Sequence, residues 1–112
     1  MDKIVIEGGR RLEGSVKING AKNAALPIMA ACLLLNGPSR IKGIPNIVDI
    51  HTLLEILENL GGKVNRLNGG TLEIIFRDGE NEDNYTAPYE LVRKMRASIC
   101  VLGPLLSKRR KA

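Results

Sequence analysis

Residues 46–76 carry the pattern that most restricts the fold. Ile50, Leu53, Leu54, Leu57 and Leu60 recur on one stripe at helical spacing, while Thr52, Glu55, Glu58 and Asn59 face away. Asn46 or Asp49 is placed to cap the start of this helix, and Gly61-Gly62 to end it. Two strands follow, 63–67 and 72–76, joined by Asn68-Gly69-Gly70, whose glycines accept the positive φ of a tight hairpin turn. One amphipathic helix feeding a hairpin demands a helix packed on a sheet, so the expected class is α/β (α+β).

The flanking segments extend the same alternation. Ile4-Val5-Ile6 and residues 12–18 are β-prone, with Val16 and Ile18 alternating against Ser15, Lys17 and Asn19, and they predict a hairpin. Residues 23–35 predict a helix capped by Asn23, with Pro27 near its first turn and Asn36-Gly37-Pro38 as the stop. Apolar residues surround most of that cylinder, which predicts burial on both faces. Residues 39–44 read as a strand broken by Pro45. After an acidic loop at 78–84 and an extended stretch at 85–88, Leu91, Val92, Met95, Ile99 and Leu102 keep helical spacing up to Gly103-Pro104. The pattern fits one kinked helix or two short ones.

Composition narrows the function classes. Hydrophobic residues make up 44% of the 112, enough for a core, and aromatics only 3%, so stacking of bases on aromatic platforms is nearly excluded. Four of the charges behind the net +5 stand together as Lys108–Lys111; the two readings of this tail are a solvated chain end and a patch for RNA or an anionic surface. Cys32 and Cys100 lie in apolar runs, and His51 is the only histidine, so zinc-ligand spacing is lacking and buried free thiols in a reducing, cytoplasmic setting are expected. The N-terminal residues lack the basic-then-apolar pattern of a signal peptide, and the apolar run 24–35 is too short to span a bilayer.

Two places suit anions. Lys22-Asn23 opens a helix whose N-terminal N–H groups attract phosphate or carboxylate, with Gly20, Ala21, Ala24 and Ala25 leaving room; the same residues also read as a capping Asn beside a surface Lys. Arg96 stands where the chain turns apolar, and such an arginine takes a fixed anionic partner, either a ligand or an internal acid such as Asp49. Lys22 and Arg96 each stand near the start of a small-residue helical stretch, a faint internal echo. Glu55 and Glu58 share a solvated face, His51 is expected to face solvent, and Cys100 is expected in the core. No nucleophile–base constellation can be assembled from this set.

GSVKINGAKNAALPIMAACLL at 14–34, GGKV at 61–64 and APYELVRKMRASICVLGPLL at 87–106 together resemble the UDP-N-acetylglucosamine 1-carboxyvinyltransferases, the enolpyruvyl transferases of peptidoglycan synthesis. The resemblance covers essentially the whole chain, and the related shikimate-pathway enzymes carry a lysine–serine pair where this chain has Lys22-Asn23. It implies part of an inside-out α/β barrel built from βαβαββ repeats, with residues 1–21 packing with a second domain and 22–112 forming an incomplete first domain. It implies transfer of the enolpyruvyl group of phosphoenolpyruvate to the 3-hydroxyl of UDP-N-acetylglucosamine, without a cofactor, metal, nucleic acid or membrane partner. Lys22 and Asn23 match the residues that contact phosphoenolpyruvate, and Arg96 matches one on the UDP-N-acetylglucosamine side. The proton donor and general base would lie beyond residue 112, and Cys100 is not that donor. The chain is therefore expected to need the rest of such an enzyme for turnover.

Overall fold

In the computed structural model, which describes residues 2–112, the ordered elements begin at Lys22. Helix α1 (Lys22–Ala31) runs into a 3₁₀ turn, Cys32–Leu34, and strand β1 (Gly37–Ile41) follows. Helix α2 (Val48–Asn59) leads to strands β2 (Lys63–Leu67) and β3 (Thr71–Phe76). A short helix α3 (Tyr89–Val92), a 3₁₀ segment Arg96–Val101 and helix α4 (Leu102–Arg109) complete the chain.

The strands form one antiparallel sheet in the order β1-β3-β2. β1 and β2 therefore run the same way, with β3 inserted between them, which is a split βαβ unit. Leu72, Ile74 and Phe76 of β3 are buried, and alternation turns Thr71, Glu73 and Ile75 to the other, half-buried face. Pro38 is accommodated because β1 is an edge strand, where a missing N–H costs no ladder bond on the open side.

The core lies between this sheet and the helices. Ile50, Leu53, Leu54, Leu57 and Leu60 are all buried, as their spacing predicts, together with Ile56. Met29, Leu33, Met95, Val101 and Leu105 join the same cluster. Thr52 departs from expectation: it is buried, and its hydroxyl donates to the Val48 carbonyl at 3.2 Å. That bond satisfies the hydroxyl within its own helix.

Gly61-Gly62 ends α2 as predicted, through paired C-terminal bonds: Gly61 N–H donates to Glu58 and Gly62 N–H to Leu57, both at 2.9 Å. Gly61 has φ +90°, and a Cβ on Gly62 would come within 2.6 Å of the Phe76 ring and 2.9 Å of the Leu57 carbonyl. Gly62→Ala is expected to cost about 1–3 kcal/mol, because backbone cannot yield as a side-chain tip can. A melting temperature unchanged from wild type would show that the α2–β3 junction is looser than this packing.

Several sequence expectations are corrected. Residues 4–6 and 12–18 form no hairpin; Ile4, Ile6, Leu12, Val16 and Ile18 are all more than 80% exposed, so these strand-prone residues have nothing to pair with here. Neither Asn23, Asn46 nor Asp49 caps a helix; the N-cap residues are Ala21 and Ile47, without side-chain bonds. α1 and the 3₁₀ turn after it bury one side only, leaving Ile28, Leu34 and the following Leu35 about half exposed. The strand read at 39–44 sits at Gly37–Ile41 instead, because Gly43 takes φ +73° and turns the chain toward α2.

The last helical stretch breaks at Met95, which is extended (φ −140°, ψ 117°). Its 3₁₀ continuation has a period of three, so Met95, Ser98 and Val101 are buried together while Ile99 and Leu102 turn outward. A 3.6-residue reading of the same sequence assigns those two residues to the core. Gly103-Pro104 falls in the first turn of α4, where proline is tolerated.

The first half of the basic tail closes the body, while Arg110 and Lys111 are exposed. Lys108 donates to the Leu35 carbonyl at 3.1 Å and pairs with Asp78 at 2.6 Å. Arg109 donates to the carbonyls of Leu60, at 2.7 Å, and Asn84. Lys111 stands 5.5 Å over the Tyr85 ring. Among the described residues, no helix is long and apolar enough to cross a membrane.

On the outer face of the sheet, Glu73 accepts from Arg40 at 2.8 Å and Asn65 at 3.1 Å, its register neighbours on β1 and β2. The Arg40 bond first, and then Asn65, hold its carboxyl below the ordinary value of 4.5. A carboxylate lowered in the folded state contributes stability above that ordinary value and loses it as pH falls through the folded one. Wild type is therefore expected to lose melting temperature more steeply than Glu73→Gln as acid is added below about pH 5. Parallel acid profiles for the two proteins would show that the ladder contributes nothing.

Candidate functional site

Three segment starts converge on one cleft. Lys22 and Asn23 are the first residues of α1, Asp49 lies in the first turn of α2, and Arg96 opens the 3₁₀ segment. Lys22, Asn23, Leu26, Asp49, Met95 and Arg96 line a cleft of about 210 Å³, with Lys94 and Ala97 completing it. The sequence-predicted residues Lys22, Asn23 and Arg96 are thus brought together.

Local sequence explains how each arrives. A Cβ on Gly20 would stand 2.1 Å from the Gly43 carbonyl, so only glycine lets the approach to α1 lie against the turn before α2. That contact sets the α1 and α2 starts side by side. No side chain caps α1, and its first bonds run from Ala24 and Ala25 back to Ala21, so the N–H groups of Lys22 and Asn23 precede the helical ladder. On the opposite wall, Met95 and Ser98 anchor the 3₁₀ segment; the Ser98 hydroxyl donates to the Val92 carbonyl at 3.2 Å. Met95 points inward from extended backbone, so its neighbours Lys94 and Arg96 share the outward side.

The electrostatics favour anions. Three cations, Lys22, Lys94 and Arg96, face one carboxylate, Asp49, for a net charge of +2. Asp49 pairs with Lys22 at 2.7 Å. The internal acid considered as a partner for Arg96 is therefore engaged elsewhere, and no ion pair of Arg96 is found among the described residues.

Lys94 was not singled out by sequence reasoning, although the alternation Lys94-Met95-Arg96 around an apolar residue signals it. The expectation for His51 is also revised. The ring is half-buried and clamped, with Nε2 2.8 Å from Asn46 Oδ1 and Nδ1 2.6 Å from Arg66 Nη2. Because arginine can only donate, Nδ1 is the accepting nitrogen in this geometry. Glu55 and Glu58 remain on the exposed side of α2, as predicted.

Cys32 is buried, and burial pushes its thiol above the ordinary range against the opposing bond from Ser39; Cys100 is half-buried and lines neither wall of the cleft. Among the described residues, no group of three metal-ligating side chains is found. A larger cavity of about 400 Å³ lies beside Arg96, between Tyr85, Val92, Ile99, Leu102 and Leu105. Arg96 borders it too, but the rest of its lining is mostly apolar, so Lys22, Lys94 and Asp49 belong to the smaller cleft alone.

Similarity to known proteins supplies the family. The profile of the family described as EPSP synthase (3-phosphoshikimate 1-carboxyvinyltransferase) matches residues 6–111. The chain belongs to the EPSP synthase family. Within it, the chain is 51% identical over 108 residues to a UDP-N-acetylglucosamine 1-carboxyvinyltransferase of Desulfosudis oleivorans, covering 96% of this chain. It is 52% identical, over the same length, to UDP-N-acetylglucosamine 1-carboxyvinyltransferase 2 of Carboxydothermus hydrogenoformans. The chain spans about a quarter of the length of these curated relatives. In structure it is similar to the enolpyruvyl transferase NikO from Streptomyces tendae, with a TM-score of 0.70 at 27% identity, covering 89% of this chain and 22% of that one. The mixed α/β fold expected from the sequence is thus that of an enolpyruvyl transferase.

Proposed function

We propose that this chain supplies the phosphoenolpyruvate-holding wall of a cytoplasmic enzyme of peptidoglycan synthesis. That enzyme transfers the enolpyruvyl group from phosphoenolpyruvate to the 3-hydroxyl of UDP-N-acetylglucosamine. The sugar oxygen bonds to C2 of phosphoenolpyruvate and gives its proton to a base, while a proton donor adds a proton to C3 as the C2–C3 double bond opens. C3 then loses a proton, the bond from C2 to the phosphate oxygen breaks, the double bond re-forms and inorganic phosphate leaves. The observation that carries this reading is the meeting of Lys22, Asn23 and Arg96 in one cationic cleft, from segments far apart in sequence.

In this reading Lys22 and Asn23 hold phosphoenolpyruvate. The ammonium and the N-terminal N–H groups of α1 neutralise the phosphate as charge builds on it toward departure. Arg96, on the facing wall, meets UDP-N-acetylglucosamine. The lining offers charge and orientation, and its single carboxylate is held by Lys22. Recognition without turnover is accordingly assigned to the chain alone. Residues 1–21 are assigned to packing against another part of the whole enzyme, Met1 lying outside the described residues; the exposed alternation of Val16 and Ile18 supports this.

Calorimetric titration tests the reading. Phosphoenolpyruvate should bind the wild-type chain and lose affinity in Lys22→Met. UDP-N-acetylglucosamine binding should respond to Arg96→Met, with phosphoenolpyruvate less affected. Equal phosphoenolpyruvate affinity in wild type and Lys22→Met would remove the basis of the assignment, and phosphate release by the chain alone would overturn the division of labour.

A further inference from the structure

The chain exposes more surface than a compact molecule of its size. Its accessible surface is 8472 Å², where a compact monomer of this mass has about 6,000 Å². Its radius of gyration is 17.2 Å, against about 13 Å for a packed domain of this length. Residues 2–20, an exposed arm without strand or helix, carry the excess. That excess is well above the roughly 800 Å² that each partner gives to a stable interface of ordinary size. Ile4-Val5-Ile6 is the most strand-prone run of the arm, and Ile4 and Ile6 are 85% and 86% exposed.

The sheet offers a complementary edge. β2 is unpaired on one side and carries no proline, whereas the other edge strand, β1, is blunted by Pro38. Beside β2, a cleft of about 270 Å³ opens toward α2. Leu54 and Val64 form its apolar part, and His51, Glu55, Glu58 and Arg66 surround them.

The arm of the same chain is badly placed to fill this edge. Its root, Gly20, lies against Gly43, and the Ile44 N–H donates to the Gly70 carbonyl, so the arm leaves where β1 and β2 both finish. Folded back, it would run parallel to both strands, the less stable pairing. The arm of a second copy can meet β2 antiparallel, and a two-fold axis makes the exchange mutual. The chain from Glu7 to Gly20 spans up to about 43 Å when extended, long enough to reach a neighbour. One register suits both faces of the added strand. With Ile6 opposite Val64, Ile4 and Ile6 lie on the side of β2 that carries Val64 and Arg66, over the cleft. Glu7 then stands opposite Lys63, a pair of opposite charge.

We propose that two copies of this chain exchange their N-terminal arms, each adding Ile4–Ile6 as an antiparallel strand beside β2 of the other. In the whole enzyme proposed above, another part of that protein takes the arm, so the exchange belongs to the chain by itself. It is independent of the cleft at Lys22.

Sedimentation equilibrium of the 112-residue chain, from micromolar to millimolar concentration, tests the exchange. Wild type is expected to reach twice the monomer mass and no more. Ile6→Asp removes apolar contact and sets a carboxylate beside Glu55 and Glu58, and should raise the dissociation constant at least about tenfold. Lys63→Glu should weaken the dimer by less, and adding Glu7→Lys to it should restore the affinity. Ile6 and Glu7 lie outside the packed body, so these two changes leave the monomer folded. Isotope-filtered spectra of mixed labelled and unlabelled chain should show Ile6 methyls of one copy against Val64 of the other. A monomer at every concentration overturns the proposal, and so does open-ended assembly. A dimer equally tight in Ile6→Asp, or one without contact between Ile6 and Val64 of different copies, overturns it as well.

Discussion

Leu57→Ala is expected to lower the stability of the chain by about 3–4 kcal/mol, the largest effect of any single truncation considered. Leu57 is fully buried in α2, within the cluster that joins the helices to β3. Removing its branched end loses transfer energy and leaves a cavity, which closely packed neighbours refill only in part. The same residue's carbonyl receives the Gly62 N–H that ends the helix. A domain of this size is stable by only about 5–15 kcal/mol. With residues 2–20 almost wholly exposed, the lower part of that range applies, so the variant should keep only about 1–2 kcal/mol and melt well below wild type. Thermal and urea unfolding read this directly; a loss below about 1 kcal/mol would mean that the core collapses freely around the gap.

Lys22→Met is expected to weaken phosphoenolpyruvate binding by about a hundredfold while leaving the fold intact. A charge-assisted hydrogen bond contributes roughly 1.5–3 kcal/mol, or about ten- to hundredfold in affinity. Two effects put this site at the upper end. The net charge of the lining falls from +2, and Asp49 is released into the cleft as an unpaired carboxylate facing the ligand. The Lys22–Asp49 pair itself is half-exposed and so worth at most about 1 kcal/mol to folding. Binding and stability should therefore separate cleanly, with melting temperature nearly unchanged. A variant that melts early and binds poorly would instead make Lys22 a structural residue.

Much of this organisation is legible in the amino-acid sequence. The helix from Ile50 to Leu60, the Gly61-Gly62 stop and the Asn68-Gly69-Gly70 hairpin all fall where local rules put them. Each depends on short-range physics: a stripe that must be buried, glycines that accept positive φ, and a turn that fixes register. The motifs around Lys22 and Arg96 point to anion sites for a similarly local reason. Cations beside the start of a helical segment suit negative charge wherever that segment is packed.

The rest depends on what each residue meets. Met95 could continue a helix by propensity, but its burial in an extended conformation converts the following residues to a period of three. Asn46 could cap α2, yet its side chain is taken by His51. The tail Lys108–Lys111 reads as free charge, but carbonyls left at the ends of the Cys32–Leu34 turn and α2 engage Lys108 and Arg109. In each case tertiary contacts override the local preference, and propensity within a short window does not register them.

The same division holds at the cleft. Residue types and spacing are enough to name Lys22, Asn23 and Arg96 as candidates, because the capacity to hold an anion resides in a side chain and its own helix start. That they share one cavity, that Lys94 stands with them, and that Asp49 holds Lys22 and not Arg96 follow only from packing. The contact of Gly20 with Gly43 and the burial of Met95 set those walls at ion-pair range, and Coulomb attraction at such range is fixed by distance in space, not by separation along the chain.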